Sequence, residues 1–309
     1  MCVTTDDDGS TTTQTSSSGR VATKKFRLLW ERAPGVDWAT QRATHEACDG
    51  TVYPDLRVDA EASTTRGLAV ESRGDEWECA RQKFVVQTIA GSRCGSMEEA
   101  RVRAVAATRS EFAGGGALLC VTGDGDGAGT TSEDLLREMA AMRNRGEISK
   151  DVALFAAVNP MLGAMEAERM ARKRDAGCDG FVSQPSLLPG RFSAWQDACD
   201  RLGVIDDEVD FFLGVSMIRS VKSLEFWYRL TGIDPALDAE AAALRDEYAR
   251  RQSTMSPEIF DDWTYERVEL AAMHALSTPR VSGAHLMPVH ASGYEYARRV
   301  AESLASFRV

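Results

Sequence analysis

The sequence predicts a single (β/α)₈ barrel, because short apolar runs alternate with amphipathic helical patterns along most of the chain. The apolar runs are nearly continuous, which is typical of parallel strands that are buried on both faces of a sheet. Eight strand–helix units fit within the 309 residues, and this number favours a closed barrel. An open, doubly wound α/β sheet is the alternative architecture.

The predicted strands and helices follow one another in a regular order. The strands are KFRLLWE (25–31), DLRVDAE (55–61), KFVVQTIA (83–90), ALLCVTG (117–123), VALFAAV (152–158), GFVSQ (180–184), DFFLGVS (210–216) and GAHLMPV (283–289). Amphipathic stretches such as SEDLLREMAAMRN separate them. Helical patterns at about 236–252 and 256–278 both precede the last strand, so we expect an extra helix in that connection.

The composition excludes several classes of protein. The net charge is −11 and basic residues do not cluster with aromatic ones, so we expect neither a nucleic-acid partner nor an anionic membrane surface. No apolar run approaches the roughly 20 residues that span a bilayer. The seven cysteines lack C-x-x-C pairing, which predicts reduced thiols in a cytoplasmic protein and no metal site.

The first 24 residues differ in composition from the remainder of the chain. They are rich in Ser and Thr, carry three consecutive aspartates and contain no apolar segment typical of a signal peptide. Such a composition predicts a disordered tail. We therefore expect two regions, a tail over 1–24 and a barrel domain over 25–309.

The glycine-rich loop after the fourth strand has the sequence GDGDGAGTT. It fails as an EF-hand, since Ala128 and Leu135 occupy positions 5 and 12, which need oxygen ligands. It also fails as a Walker loop, because no lysine follows Gly129. A dinucleotide fingerprint is equally unsupported, since no strand ending in an acid follows. The remaining interpretation is a buried strand that presents Asp124 at its carboxyl end.

Polar side chains follow most of the predicted strands. In chain order these residues are Glu31, Glu61, Thr88, Asp124, Asn159, Gln184, Ser216 and His290. Strand packing does not require polar residues at these points. Because the active sites of (β/α)₈ barrels lie at the carboxyl ends of the strands, this pattern predicts a polar site at that end of the barrel.

Several segments resemble the methylenetetrahydrofolate reductases, a barrel family that uses a flavin. The most specific are KRDAGCDGFVSQ (173–184) and GVSMIRSVKSLEFW (214–227). WERAPG (30–35), VTGD (121–124), AAVNP (156–160) and GAHLMPV (283–289) are also similar to family motifs. The resemblance implies NAD(P)H-dependent, FAD-mediated reduction of 5,10-methylenetetrahydrofolate to 5-methyltetrahydrofolate. Either NADH or NADPH would be the co-substrate, and family members usually associate, so a homo-oligomer is also implied.

The resemblance assigns a role to individual residues. Glu31 would donate the proton that opens the five-membered ring of the folate, and Asp124 would lie near the flavin and the pterin. The implied cofactor contacts are Asp124, Ala157, Asn159, Glu166 and Lys173, and the implied folate contacts are Gln184, Ser223 and Trp227. Glu166 and Lys173 lie seven residues apart on one helix face, where ion pairing on a solvated surface is the alternative. Trp227 could equally pack between helices.

Four positions depart from the family pattern. The family's strand-3 histidine falls at Val86, its arginine before the strand-4 Gly-Asp pair at Thr122, its glutamine after strand 7 at Ser223, and its arginine after strand 8 near Ala291. These departures remove contacts to flavin or folate, so other functions stay open. The alternatives are a folate-binding methyl-transfer barrel, a flavin-independent reductase, and a non-catalytic descendant that binds folate or a partner protein on the same surface.

Overall fold

Eight parallel strands, hydrogen-bonded in chain order, close into a barrel, which confirms the predicted fold class. The structure, a computed structural model, describes residues 26–33, 35–55, 83–109, 115–123 and 129–305. The predicted tail over 1–24 lies outside these residues. The strands are β1 (Arg27–Glu31), β2 (Gly50–Tyr53), β3 (Phe84–Ala90), β4 (Gly116–Val121), β5 (Val152–Val158), β6 (Gly180–Pro185), β7 (Asp210–Ser216) and β8 (Gly283–Met287).

Nine α-helices of the described chain surround the strands. They are α1 (Trp38–Ala47), α2 (Met97–Arg109), α3 (Ser132–Arg145), α4 (Ala164–Asp175), α5 (Pro189–Leu202), α6 (Val221–Thr231), α7 (Ala239–Thr254), α8 (Pro257–Ser277) and α9 (Ala291–Ala305). Helices α6, α7 and α8 all lie between β7 and β8. This confirms the expectation that the last connection carries additional helix.

The second strand lies earlier in the chain than the sequence predicted. The β-rich segment 55–61 was the candidate, whereas β2 is the four-residue segment GTVY at Gly50–Tyr53. Thr51 pairs with Trp30 of β1 and with Val85 of β3. All four residues of β2 are buried, so packing on both faces selects this segment, and four residues are too few to give a clear periodic signal. Residues 56–82 lie outside the described part.

Two apolar layers stabilise the barrel. The inner layer fills the space between the strands and consists of Leu29, Val52, Val86, Ala117, Leu119, Phe155, Val182 and Phe212. The Phe155 ring lies 5.8 Å from Phe212 and 6.2 Å from Phe84, measured between ring centroids. The outer and larger layer packs the helices against the strands. Aromatic rings therefore contribute to the packing of the inner layer.

No helix in the described ranges is both long enough and apolar enough to cross a membrane. Within the same ranges, no group of three or more His, Cys, Asp or Glu side chains is arranged to hold a metal ion. The cytoplasmic location and the homo-oligomer stay predictions.

Gly283 begins β8 at a point where the backbones of neighbouring strands approach closely. A Cβ atom at this position would lie 2.1 Å from the carbonyl oxygen of Arg27. We expect Gly283→Ala to lower the free energy of unfolding by about 1–3 kcal/mol, because the neighbouring backbone must shift to admit the methyl group. The measurement is chemical denaturation, with Gly35→Ala as control, since nothing lies within 4 Å of a Cβ there. Equal effects of the two substitutions would contradict the steric explanation.

Candidate functional site

A cavity of about 390 Å³ opens at the carboxyl ends of the strands, where the sequence predicted the site. Of the predicted site residues, the cavity is lined by Glu31, Ala157, Lys173 and Gln184. Asn159, Glu166, Ser223 and Trp227 do not line it. Asp124 lies outside the described residues. We call this cavity the mouth.

A second, larger depression of about 740 Å³ lies on the outer surface between α2 and α3. Its charged side chains are already paired with one another, Arg101 with Glu98 and Arg145 with Glu147. Among the described residues that line it, no polar side-chain atom is buried without a partner. The mouth is therefore the better candidate for a chemical site.

The end of β1 is held firmly, which fixes the position of Glu31. The Tyr294 hydroxyl of α9 donates to the carbonyl oxygen of Glu31 at 3.2 Å and accepts from the Ala33 N–H at 2.7 Å. The Gln41 side chain of α1 accepts from the same N–H at 3.2 Å and donates to the Ala33 carbonyl oxygen at 3.1 Å. Two helices thus position the backbone that carries the Glu31 carboxyl group.

Glu31 and His285 face each other across the junction of the first and last strands. Strand β8 pairs with β1, with His285 in register with Leu29. The distance from His285 Nε2 to Glu31 Oε2 is 3.5 Å, which is long for a hydrogen bond. His285 is 4% exposed, and neither ring nitrogen has a hydrogen-bond partner among the described residues. The Glu31 side chain is 35% exposed and lines the mouth.

Burial drives both groups towards their neutral forms. It raises the pKa of Glu31 to about 7 and lowers the pKa of His285 to about 3. An ion pair would have shifted both values in the opposite directions. Near neutral pH, Glu31 is therefore an acid that holds and releases its proton, next to a neutral imidazole. A carboxyl group with a raised pKa in a cleft is a typical general acid.

The low pKa of His285 predicts a specific pH dependence of stability. The unfolded chain binds a proton on this residue below about pH 6.5, whereas the folded chain does so only below about pH 3. Folding stability therefore rises with pH across this window and is lost as the pH falls through it. The raised pKa of Glu31 acts in the opposite sense, but only between about pH 4.5 and 7.

We therefore expect His285→Leu to flatten the rise of unfolding free energy between about pH 3.5 and 4.5, where Glu31 contributes little. Urea denaturation at a series of pH values measures the slope for the wild type and the variant. The exposed substitution Glu98→Gln is a control for general effects of a surface change. An unchanged slope in His285→Leu would show that the imidazole is not held neutral by its burial.

Gln184 lies at the end of β6 beside an irregularity in the sheet. The register of β6 with β7 shifts between Val182 and Pro185. The Ser183 hydroxyl accepts from the Gly214 N–H and donates to the Gln184 carbonyl oxygen, both at 2.8 Å. The Gln184 Oε1 atom is buried without a partner among the described residues. It is thus a free acceptor on the wall of the mouth.

The side chains of three residues that were predicted to contact a cofactor form hydrogen bonds within the protein. Lys173 Nζ donates to the Ala157 carbonyl oxygen at 2.7 Å and to Glu166 Oε1 at 3.2 Å. Asn159 donates to the Thr231 carbonyl oxygen at 2.9 Å, and its Oδ1 atom accepts from a backbone N–H at 3.1 Å. The polar atoms expected to meet a cofactor are therefore engaged, and their cofactor roles stay predictions.

Two predicted folate contacts lie in α6 and do not line the mouth. Ser223 forms a capping box with Ser220, and its hydroxyl accepts from the backbone N–H groups of Arg219 and Ser220 at 3.0 Å. Trp227 is 3% exposed, and its ring centroid lies 5.4 Å from that of Phe226. Both side chains serve the helix and its packing in this structure, so their folate contacts stay predictions.

The sequence interpretation missed three ionisable residues of the mouth. His285 was masked by its position inside the apolar run GAHLMPV, although an ionisable residue inside a buried barrel strand is itself a signal. Asp55 was assigned to a strand, but its carboxylate lines the mouth and pairs with Arg103 at 3.2 Å. Arg93, in the loop after β3, also lines the mouth.

No protein-family profile and no curated protein matches the chain. Among solved structures, one neighbour is an uncharacterised protein from Clostridium thermocellum that binds two copies of 5-methyl-5,6,7,8-tetrahydrofolic acid. The two chains are 13% identical with a TM-score of 0.59, and the match covers 93% of this chain and 98% of the neighbour. A likeness at this identity shows a shared fold over nearly the whole of both chains.

Proposed function

We propose that the mouth binds a reduced folate and that Glu31 donates a proton to a ring nitrogen of that ligand. The observation that carries the proposal is the Glu31 carboxyl group, which burial holds at a pKa of about 7 beside a neutral His285. Binding alone does not need such an acid, whereas cleavage of a bond to nitrogen does. The structural neighbour that binds 5-methyltetrahydrofolic acid supports the choice of ligand.

The dimensions and the polar groups of the mouth suit a pterin ring. Its volume of about 390 Å³ is at the small end of ligand cavities, which range from about 300 to 1,000 Å³. Gln184 offers a buried acceptor to the amino and ring N–H donors on the pterin edge. Leu119, Val121 and Val182 provide apolar contacts to a flat ring.

The proposed proton transfer opens the five-membered ring of 5,10-methylenetetrahydrofolate. The bond between the methylene carbon and N10 breaks, its electron pair goes to N10, and the proton of Glu31 moves to the same nitrogen. The methylene group stays on N5 as an iminium ion. Glu31 becomes a carboxylate close to the new positive charge, which stabilises the product of the step.

A more detailed proposal is that NAD(P)H reduces this iminium ion through FAD, since an iminium ion accepts hydride. The described residues fit a flavin dinucleotide poorly, because Lys173, Glu166 and Asn159 are bonded within the protein and the mouth is small. We therefore assign no step to a flavin. Reconstitution with FAD followed by an absorbance spectrum tests this proposal, and a retained flavin band would support it.

Anaerobic titration calorimetry with tetrahydrofolate tests the binding proposal. Ala157 lines the mouth, so Ala157→Trp should fill it and abolish binding. Ala106, on the outer groove, provides the control Ala106→Trp, which should bind as the wild type does. Absence of binding to the wild type would refute the proposed function. Unchanged binding to Ala157→Trp would place the folate site elsewhere.

A further inference from the structure

Arg93 is a half-buried cation on the wall of the mouth. It ends the single turn of 3₁₀-helix at Gly91–Arg93, directly after β3. Its carbonyl oxygen accepts from Arg103 at 3.0 Å. Its guanidinium group forms no ion pair with any residue in the described ranges, in contrast to the neighbouring Arg103, which contacts Asp55 and Glu99.

The other charged groups that line the described wall are compensated. Lys173 pairs with Glu166 at 3.2 Å, and Asp55 pairs with Arg103 at 3.2 Å and accepts from the Ala90 N–H at 3.0 Å. Glu31 holds its proton up to about pH 7. Within this wall, Arg93 is therefore the uncompensated charge. A guanidinium group in this position has the geometry to bind a carboxylate through two parallel hydrogen bonds.

The distance between Arg93 and the acid suits an elongated ligand. Glu31 ends β1 and Arg93 follows β3, so two strand spacings, about 10 Å, separate their backbones. Val52 and Pro54, on and just after the intervening β2, line the mouth between them. The wall thus presents an acid, an apolar strip and a guanidinium group in sequence.

We propose that Arg93 binds a carboxylate on the tail of the ligand and makes the mouth selective for folates over tail-free pterins. A folate carries its ionisable ring nitrogens at one end and its glutamyl carboxylates at the other, with a benzoyl ring between. This order matches the acid, the apolar strip and the guanidinium group. The inference rests on the proposed function, since it assumes that the pterin lies near Glu31.

The test compares two ligands on the same variants. Tetrahydrofolate carries the benzoylglutamate tail, and a methyltetrahydropterin lacks it. We expect the wild type to bind tetrahydrofolate more tightly than the tetrahydropterin. Arg93→Gln should weaken the affinity for tetrahydrofolate by about 10- to 100-fold and leave the affinity for the tetrahydropterin unchanged. Arg93→Lys should keep part of the preference, and added salt should reduce the preference of the wild type.

The control is Arg137→Gln, since Arg137 is an exposed residue of α3 that pairs with Asp134. It should bind both ligands as the wild type does. If Arg93→Gln weakened the binding of both ligands equally, or of neither, the proposed role of Arg93 would be wrong. The proposal of a folate site would not be affected by that result. A wild type that binds neither ligand would refute the proposed function itself.

Discussion

Replacing Glu31 by Gln is expected to slow the ring opening of 5,10-methylenetetrahydrofolate by about 10²- to 10⁴-fold. Glutamine keeps the shape of the side chain and can still donate a hydrogen bond, but it has no proton to release. The affinity for tetrahydrofolate should therefore change little. Exchange of labelled methylene groups with free formaldehyde, followed by NMR, reports the ring opening above its uncatalysed rate and needs no reductant.

The pH profile of the same reaction gives a second criterion. The rate should be highest where Glu31 is protonated and should fall about tenfold per pH unit above its pKa of about 7. In Glu31→Gln this dependence should disappear. Glu98→Gln, an exposed change in the outer groove, should keep both the rate and the profile. A variant at Glu31 that retains the wild-type rate would show that this residue is not the acid.

The barrel was predictable because the composition of its strands distinguishes them from the rest of the sequence. Seven of the strands lie where continuous apolar runs indicated them, and those runs are buried on both faces as parallel strands require. Strand β2 was misplaced because GTVY is four residues long, while DLRVDAE has the stronger strand composition. The predicted carboxyl ends of β4 and β8 both lie two residues beyond the observed ends, Val121 and Met287. Only the paired neighbours in the sheet determine where a strand stops.

The candidate site was predictable in part, for a geometric reason. Glu31 and Gln184 both end parallel strands, so the barrel brings them to the same cavity although they lie far apart in the chain. Asn159 follows β5 and Ser223 lies in the first turn of α6, but the side chains of both form capping hydrogen bonds at the start of a helical turn. Local capping competes with ligand binding for the same polar atoms. The sequence alone does not indicate whether such a polar side chain caps a helix or binds a ligand.

The proximity of Glu31 and His285 does not follow from any local sequence pattern. The two residues belong to the first and last strands, and they meet only because the sheet closes on itself. Their pKa shifts then follow from burial and not from any neighbouring motif. The chemistry of the mouth therefore depends on the closure of the barrel, a property of the whole chain.

Lys173→Met is expected to lower the free energy of unfolding by about 3–5 kcal/mol. Lys173 is 7% exposed and Glu166 is 3% exposed. The substitution therefore leaves a buried carboxylate whose remaining ion-pair partner, among the described residues, is Arg169 at 3.4 Å. It also removes the hydrogen bond from Nζ to the Ala157 carbonyl oxygen, which ties α4 to β5. Urea denaturation of the purified variant measures the loss.

The double variant Lys173→Met with Glu166→Leu decides between a structural pair and a cofactor contact. Removing both charges should recover much of the lost stability, because no unpaired charge remains buried. Arg137→Met, which breaks the exposed pair with Asp134, should cost at most about 1 kcal/mol. If Lys173→Met were as stable as the wild type but bound FAD less tightly, the pair would serve a cofactor and the structural role argued from its burial would be wrong.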